Sequence, residues 1–317
     1  MELIKKDNFK NLKKIIQNKY YEKILVIGGK KSYNSAGART IINKLIVGKK
    51  SSFFFKRNKL PEINELLQVV EKIKKFEPNL IIAIGGGAVM DLAKVANLMS
   101  FEKKIKKSIQ NNSYTTRKKF CDLAAIPMTA GSGAEVTSNA VIYIDKKKYS
   151  VEGELIKPDH MALFPELIIS NKKINIVNAS AFDCFSQSIE SIFSKKSSNQ
   201  SVLYSIKSIE IFLKNYQNYI EKKNFENGYY MSLASYYSGK AISISKTIAP
   251  HAVSYPFTSY FNVPHGHAVS LTLNEFLNFN YLNIKKLSSE FSLDKRYNIL
   301  FKILKVKNIN EITNKIN

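Results

Sequence analysis

Asp183 and Gln187 stand four residues apart in a segment of helical period, so they share one face, and Glu190 follows near the same stripe. Further along, His251 sits in Ala249-Pro250-His251-Ala252 and His265 in Pro264-His265-Gly266. One carboxylate and two imidazoles make a three-ligand set for a divalent transition metal and leave a coordination position open for substrate. Read singly, each histidine is more simply a hydrogen-bonded core or loop residue. The chain has four histidines, at 160, 251, 265 and 267, and three fall in one region, which favours the metal reading.

A second kind of chemistry is written in Ile81-Ile82-Ala83-Ile84-Gly85-Gly86-Gly87-Ala88-Val89-Met90-Asp91. It reads as a buried strand, a triple-glycine turn and the start of a helix. Glycine lets the backbone turn sharply and approach a ligand closely. The free N–H groups and positive dipole end of the following helix suit a pyrophosphate. The spacing is not G-x-G-x-x-G, and such a turn alone is a weak signal. A second glycine turn follows in Thr129-Ala130-Gly131-Ser132-Gly133-Ala134-Glu135.

These groups need elements to hold them. Strands are expected at 23–28, 52–55, 81–84 and 123–127, with helices at 35–47, 60–75 and 91–99 between the first four. That alternation predicts a parallel, doubly wound sheet. Residues 141–144 and 148–151 form a strand pair around Asp145-Lys146-Lys147. From about Ala179 the pattern turns helical, over 180–194, 200–216, 226–245, 266–278 and 284–305. The reading is an α/β domain over 1–170 and an all-α domain over 171–317, with the boundary near Asn171. The polar stretch from Lys305 to Asn317 is expected to fray.

Composition narrows the class. With 317 residues the chain can bury two cores. Apolar residues at 44% and charged residues at 23% are ordinary for a globular protein. The balance of 49 Lys and Arg against 25 Asp and Glu, +24 overall, is not ordinary. The lysines are scattered and no basic recognition motif is present, so the reading is solvated faces rather than a nucleic-acid partner. The excess favours anionic small molecules. Cys121 and Cys184 make no disulfide framework and read as buried residues. Without a signal-peptide stretch or a membrane-length apolar run, a cytoplasmic protein with no membrane partner is expected.

The glycine turn ending in Asp91-Leu92-Ala93-Lys94 resembles a hallmark of the iron-containing (group III) alcohol dehydrogenases. So do Ile126-Pro127-Met128-Thr129-Ala130-Gly131-Ser132-Gly133-Ala134-Glu135, the Asp183 helix, the His251 segment and Pro264-His265-Gly266. They occur in the family's order. The resemblance implies a Rossmann-like NAD(P) domain, a helical metal domain, an active site in the cleft between them, and a homodimer. Carried over, Gly85, Gly86, Gly87 and Asp91 hold the cofactor diphosphate, and Thr129 and Ser132 line the path to the nicotinamide. Asp183, His251 and His265 bind Fe²⁺, with Zn²⁺ the alternative.

The chain departs from the family at several positions. Gln187 and Tyr255 stand where many members have histidine, Met128 replaces a threonine and Phe164 an acidic residue. The family usually continues with more helices, so the C-terminal end reads as shortened. Asp183 to Ser191, Lys246 to Tyr255 and Gly29-Lys30-Lys31-Ser32-Tyr33 resemble the branch that reduces phosphonoacetaldehyde to 2-hydroxyethylphosphonate. There Gln187 either meets the substrate, ligates weakly or orients Asp183. Lys246 is the first candidate cation for a phosphonate, unless it is a surface lysine. His267 serves an anionic group or supports His265. In NAD-preferring members an acidic residue meets the ribose 2′-hydroxyl. Here that place is Gly29, followed by Lys30, Lys31 and Ser32, which favours NADPH over NADH.

Overall fold

The computed structural model describes residues 1–5, 7–35, 37–170 and 173–316. In chain order the first half runs β1 (Glu2–Leu3), α1 (Phe9–Ile16), β2 (Lys23–Gly29), α2 (Lys30–Ser35), α3 (Ala38–Leu45), β3 (Lys50–Lys56), α4 (Ile63–Phe76), β4 (Leu80–Gly85) and α5 (Gly87–Met99). It continues through α6 (Ile105–Gln110), β5 (Asp122–Pro127), β6 (Asn139–Ile144), β7 (Lys147–Glu152), β8 (His160–Ala162) and α7 (Pro165–Ile169). The second half holds α8 (Ile174–Phe193), α9 (Asn199–Glu221), α10 (Phe225–Ser245), α11 (Ala249–Phe261), α12 (His265–Leu282), α13 (Leu293–Leu304) and α14 (Ile309–Ile316). The expected boundary at Asn171 lies outside the described residues.

The strands β1-β8-β5-β4-β2-β3, in that order, form one parallel sheet. Apolar runs such as Ile24-Leu25-Val26-Ile27 suit a strand covered on both faces. Alternate side chains go to opposite cores, as strand geometry requires. Leu25 and Ile27 pack with α4 and α5, and Ile24 and Val26 with α1 and α3. From β2 the chain moves outward to β3, then returns past β2 to β4. That reversal places a ligand crevice at the carboxyl ends of β2 and β4. The hairpin β6–β7 is a separate antiparallel pair, as its sequence predicts.

The helical half has its own core around α8, which is buried almost all round from Ala181 to Phe193. Several expectations are corrected here. The helix expected over 35–47 is α3, which starts only after Gly37 with φ +75° and is preceded by the unexpected short helix α2. The segment expected as one helix over 284–305 is a single 3₁₀ turn and then α13. The tail expected to fray forms α14, because Ile309 and Ile312 are buried in the helical core. The strands β1 and β8 were too short to read from pattern. The His251 segment is a full helix despite Pro250 and Pro256. Pro250 occupies the first turn, where a missing N–H costs nothing.

Candidate metal and nucleotide site

Asp183 comes from the middle of α8, His251 from the first turn of α11 and His265 from the start of α12. Gly266 lets α12 approach: a Cβ there would overlap the Ala179 carbonyl oxygen on α8. That close crossing brings His265 beside Asp183, one helical turn after Ala179. One ligand atom from each of Asp183, His251 and His265 lies within 4.8 Å of the others. Asp183 Oδ1 is 3.3 Å from His251 Nε2 and 4.0 Å from His265 Nε2.

Neither approach has hydrogen-bond geometry: Asp183 Oδ1 is buried without a partner, and so is His265 Nδ1. A buried acceptor left in that state costs free energy. A divalent cation among the three donors would satisfy it, and a carboxylate with two imidazoles suits Fe²⁺ or Zn²⁺. The residues therefore fit the metal.

Glu190, two turns beyond Asp183 on α8, is fully buried and works twice. Its Oε2 accepts the Ile248 N–H at 2.7 Å, at the N-terminus of α11 where a carboxylate is favoured. Its Oε1 bonds His251 Nδ1. With that nitrogen engaged, the ring turns Nε2 toward Asp183, the usual arrangement of a carboxylate that orients a ligating histidine.

The charges follow from these contacts. Burial pushes Asp183 up, but neighbouring His251, His265 and Lys148 outweigh it and hold its pKa below the ordinary value. Burial opposes a charged His251, yet Glu190 and Asp183 raise its pKa to about 9. His265 has no such carboxylate bond; burial dominates and lowers it to about 3, so it is neutral.

The nucleotide side is built from two adjoining turns. Gly86 precedes α5, and no side chain caps that helix. A Cβ at Gly86 would stand 3.2 Å from Thr129 Oγ1, and one at Gly87 only 2.6 Å from Ser132 Oγ, so the turns after β4 and β5 touch. Met128 N donates to Gly85 O at 2.8 Å and fixes their register. Gly29 ends β2 and Lys30 opens α2 on the same edge, with Ser32 Oγ donating to Gly29 O at 3.3 Å. Thus Gly29, Lys30, Ser32, Gly85, Gly86, Gly87, Thr129 and Ser132 gather at the crevice. Asp91 stands one turn into α5 and accepts a backbone bond from Val141. Burial outweighs nearby Lys94 and raises its pKa to about 6. That carboxylate braces the hairpin.

Two further candidates are engaged by other partners. Lys246 Nζ lies 3.2 Å from Glu152 Oε2. Gln187 donates to Gly131 O at 2.8 Å. A cation whose charge acts on Asp183 and His265 is Lys148 on β7, and its Nζ stands 3.3 Å from the centre of the Tyr255 ring. That ring lies 24° from parallel to His265. Lys148 feels Asp91 on the nucleotide side and Asp183 and Glu190 on the metal side, while burial brings its pKa down to about 7. Its sequence signal is poor, since it is the last of three lysines in Lys146-Lys147-Lys148. His267 is exposed, and Cys184 is buried against Ser208, with its thiol pushed up to about 12 by burial.

A doubly wound parallel sheet joined to a helical region that carries an Asp-His-His cluster able to hold a metal defines the class. The chain belongs to the iron-containing alcohol dehydrogenase family: that family's description matches residues 3–166, and its Fe-containing C-terminal description matches residues 177–316. It is 26% identical over 222 residues to the phosphonoacetaldehyde reductase of Streptomyces viridochromogenes, covering 67% of this chain and 56% of that one. It is also 26% identical to the 4-hydroxybutyrate dehydrogenase of Clostridium kluyveri, over 70% of this chain and 60% of that one. The match thus spans less than two thirds of these relatives. Among solved structures, the sulfoacetaldehyde reductase of Bifidobacterium kashiwanohense in complex with NAD⁺ superposes with a TM-score of 0.82 at 26% identity, over 88% of this chain and 75% of that one.

Proposed function

We propose that this chain is a metal-dependent, NAD(P)H-linked reductase of short aldehydes that carry an anionic group, with phosphonoacetaldehyde as first substrate. The observation that carries this reading is Lys148, whose Nζ stands 3.3 Å from the centre of the Tyr255 ring, itself stacked with His265 of the three-donor cluster. Three of the similar proteins are named for a phosphonate, a sulfonate and a hydroxy acid, anions that a cation would bind, and others for uncharged alcohols.

Each residue has a task in that reaction. Gly85, Gly86, Gly87 and the start of α5 receive the diphosphate. Thr129 and Ser132 border the path from there toward the cluster. Asp183, His251 and His265 would hold Fe²⁺ or Zn²⁺, which when bound supplies Lewis acidity at the aldehyde oxygen. Glu190 keeps His251 oriented. Lys148 attracts the anionic end of the substrate and so points the carbonyl at the cluster. The hydride comes from the nicotinamide; the protein contributes distance and charge. Gly29 has no carboxylate to repel a 2′-phosphate, and Lys30 adds positive charge, which favours NADPH.

The test is anaerobic purification with Fe²⁺ and measurement of NADPH oxidation with phosphonoacetaldehyde, propanal and dihydroxyacetone phosphate. Turnover is expected to be fastest with phosphonoacetaldehyde and lost in His265→Ala. Turnover with propanal alone would remove the anionic substrate. Equal rates with NADH would remove the NADPH preference.

A further inference from the structure

Four residues after Asp183 this chain has Gln187, and its amide is engaged by a neighbouring turn. Gln187 is 2% exposed, and its Nε2 donates to the main-chain oxygen of Gly131 at 2.8 Å. Gly131 lies between Thr129 and Ser132 in the turn that borders the cofactor path. The same glycine rests on α8 from below, since a Cβ on it would stand 2.8 Å from Ser180 O. Ser180, Asp183 and Gln187 recur at three- and four-residue spacing, so they share one face of α8. The cofactor turn is therefore seated on Ser180 and tied by Gln187, with the metal-cluster carboxylate between them.

We infer that Gln187 is a positioning residue that couples the two halves of the site: it sets the cofactor turn from the helix that carries Asp183. This rests on the function proposed above and adds how nucleotide and metal sites are kept in register. The chemistry asks for a neutral donor of this length. Methionine fills the space but leaves Gly131 O buried and unpaired. Glutamate sets an acceptor against that carbonyl and a second negative charge beside Asp183. Histidine in this position would be drawn into the metal cluster and away from the turn.

The experiment uses the full chain loaded with Zn²⁺, without any aldehyde, and reads two affinities. NADPH binding is followed by nicotinamide fluorescence, which the absence of tryptophan leaves free of indole emission. Zn²⁺ affinity is followed by competition with a chromophoric chelator. Gln187→Met is expected to weaken NADPH binding about tenfold, the worth of one buried hydrogen bond, with Zn²⁺ affinity changed less than about twofold. Gln187→Glu, which keeps the volume, is expected to weaken NADPH at least as much, and it stands in if the methionine variant does not fold. Unchanged NADPH affinity in a folded variant would overturn the inference. So would a tenfold loss of Zn²⁺ affinity at unchanged NADPH affinity, which would make Gln187 a ligand. Failure of the unaltered chain to bind either nicotinamide cofactor overturns the proposed function and the coupling with it. Binding of cofactor without reduction of any anionic aldehyde overturns the substrate alone.

Discussion

Lys148 carries the strongest consequence at the scale of single residues. Burial is the largest influence on its ammonium and lowers its pKa to about 7, against the pull of Asp91, Asp183 and Glu190. The charged form exists below that pH and is lost as pH rises through it. Recognition of an anion by this residue must therefore weaken in the same direction. The KM for phosphonoacetaldehyde is expected to rise by up to about tenfold per pH unit above the pKa, while the KM for uncharged propanal stays level. Lys148→Met should flatten the first profile onto the second; a profile unchanged by that substitution would place the cation elsewhere. The contrast with Lys246 shows what sequence can hold at this scale. The candidate ligands Asp183, His251 and His265 were legible because the chain has only four histidines and two of them fall in segments that resemble the family. A lysine among 49 basic residues has no such contrast, and only the hairpin's placement distinguishes Lys148 from its neighbours. Glu190 lay in view as the third polar residue of the stripe, but its bond to His251 joins positions 61 residues apart.

At the scale of elements, the turn over residues 129–133 is fitted to the helical half by close backbone contact. Gly133 has φ +60° and lies against Gly239 on α10. A Cβ on Gly239 would stand 2.8 Å from Gly133 Cα and from Val136 Cγ2. No flexible side chain is available there to give way, so turn and helix must separate. Gly239→Ala is expected to destabilise the fold by about 1–3 kcal/mol in chemical denaturation, the range for overpacking a filled site. It is also expected to weaken NADPH binding, because the displaced turn carries Thr129 and Ser132. Loss of stability with cofactor affinity intact would show that the turn moves without disturbing the crevice. The strands and long helices of this fold were readable because apolar runs and helical period survive in single segments. The contact between Gly133 and Gly239 was not, since two glycines 106 residues apart have no pattern in common. Nor was α11, whose two prolines mask a helix that begins at a capping carboxylate from α8.

The whole molecule adds one term that no residue supplies alone. At +24, the chain presents a positive field to every approaching reactant, and both a phosphonate aldehyde and NADPH are anions. Lys148 is only partly exposed and so less screened by salt, whereas the scattered surface lysines act through solvent, where the Debye length is about 8 Å at roughly 0.15 M. The two contributions can therefore be separated. At saturating NADPH, kcat/KM for phosphonoacetaldehyde is expected to fall several-fold between roughly 0.02 and 0.5 M salt, while that for propanal holds constant. In Lys148→Met the remaining rate with the phosphonate should keep the same salt slope, because the distant field is untouched. A slope that disappears with Lys148 would instead assign the attraction to that one ammonium and leave the surface charge without a role in capture. The scattered distribution argues for the first outcome: a field spread over the surface speeds encounter with small anions, and the proposed site would decide which of them reacts.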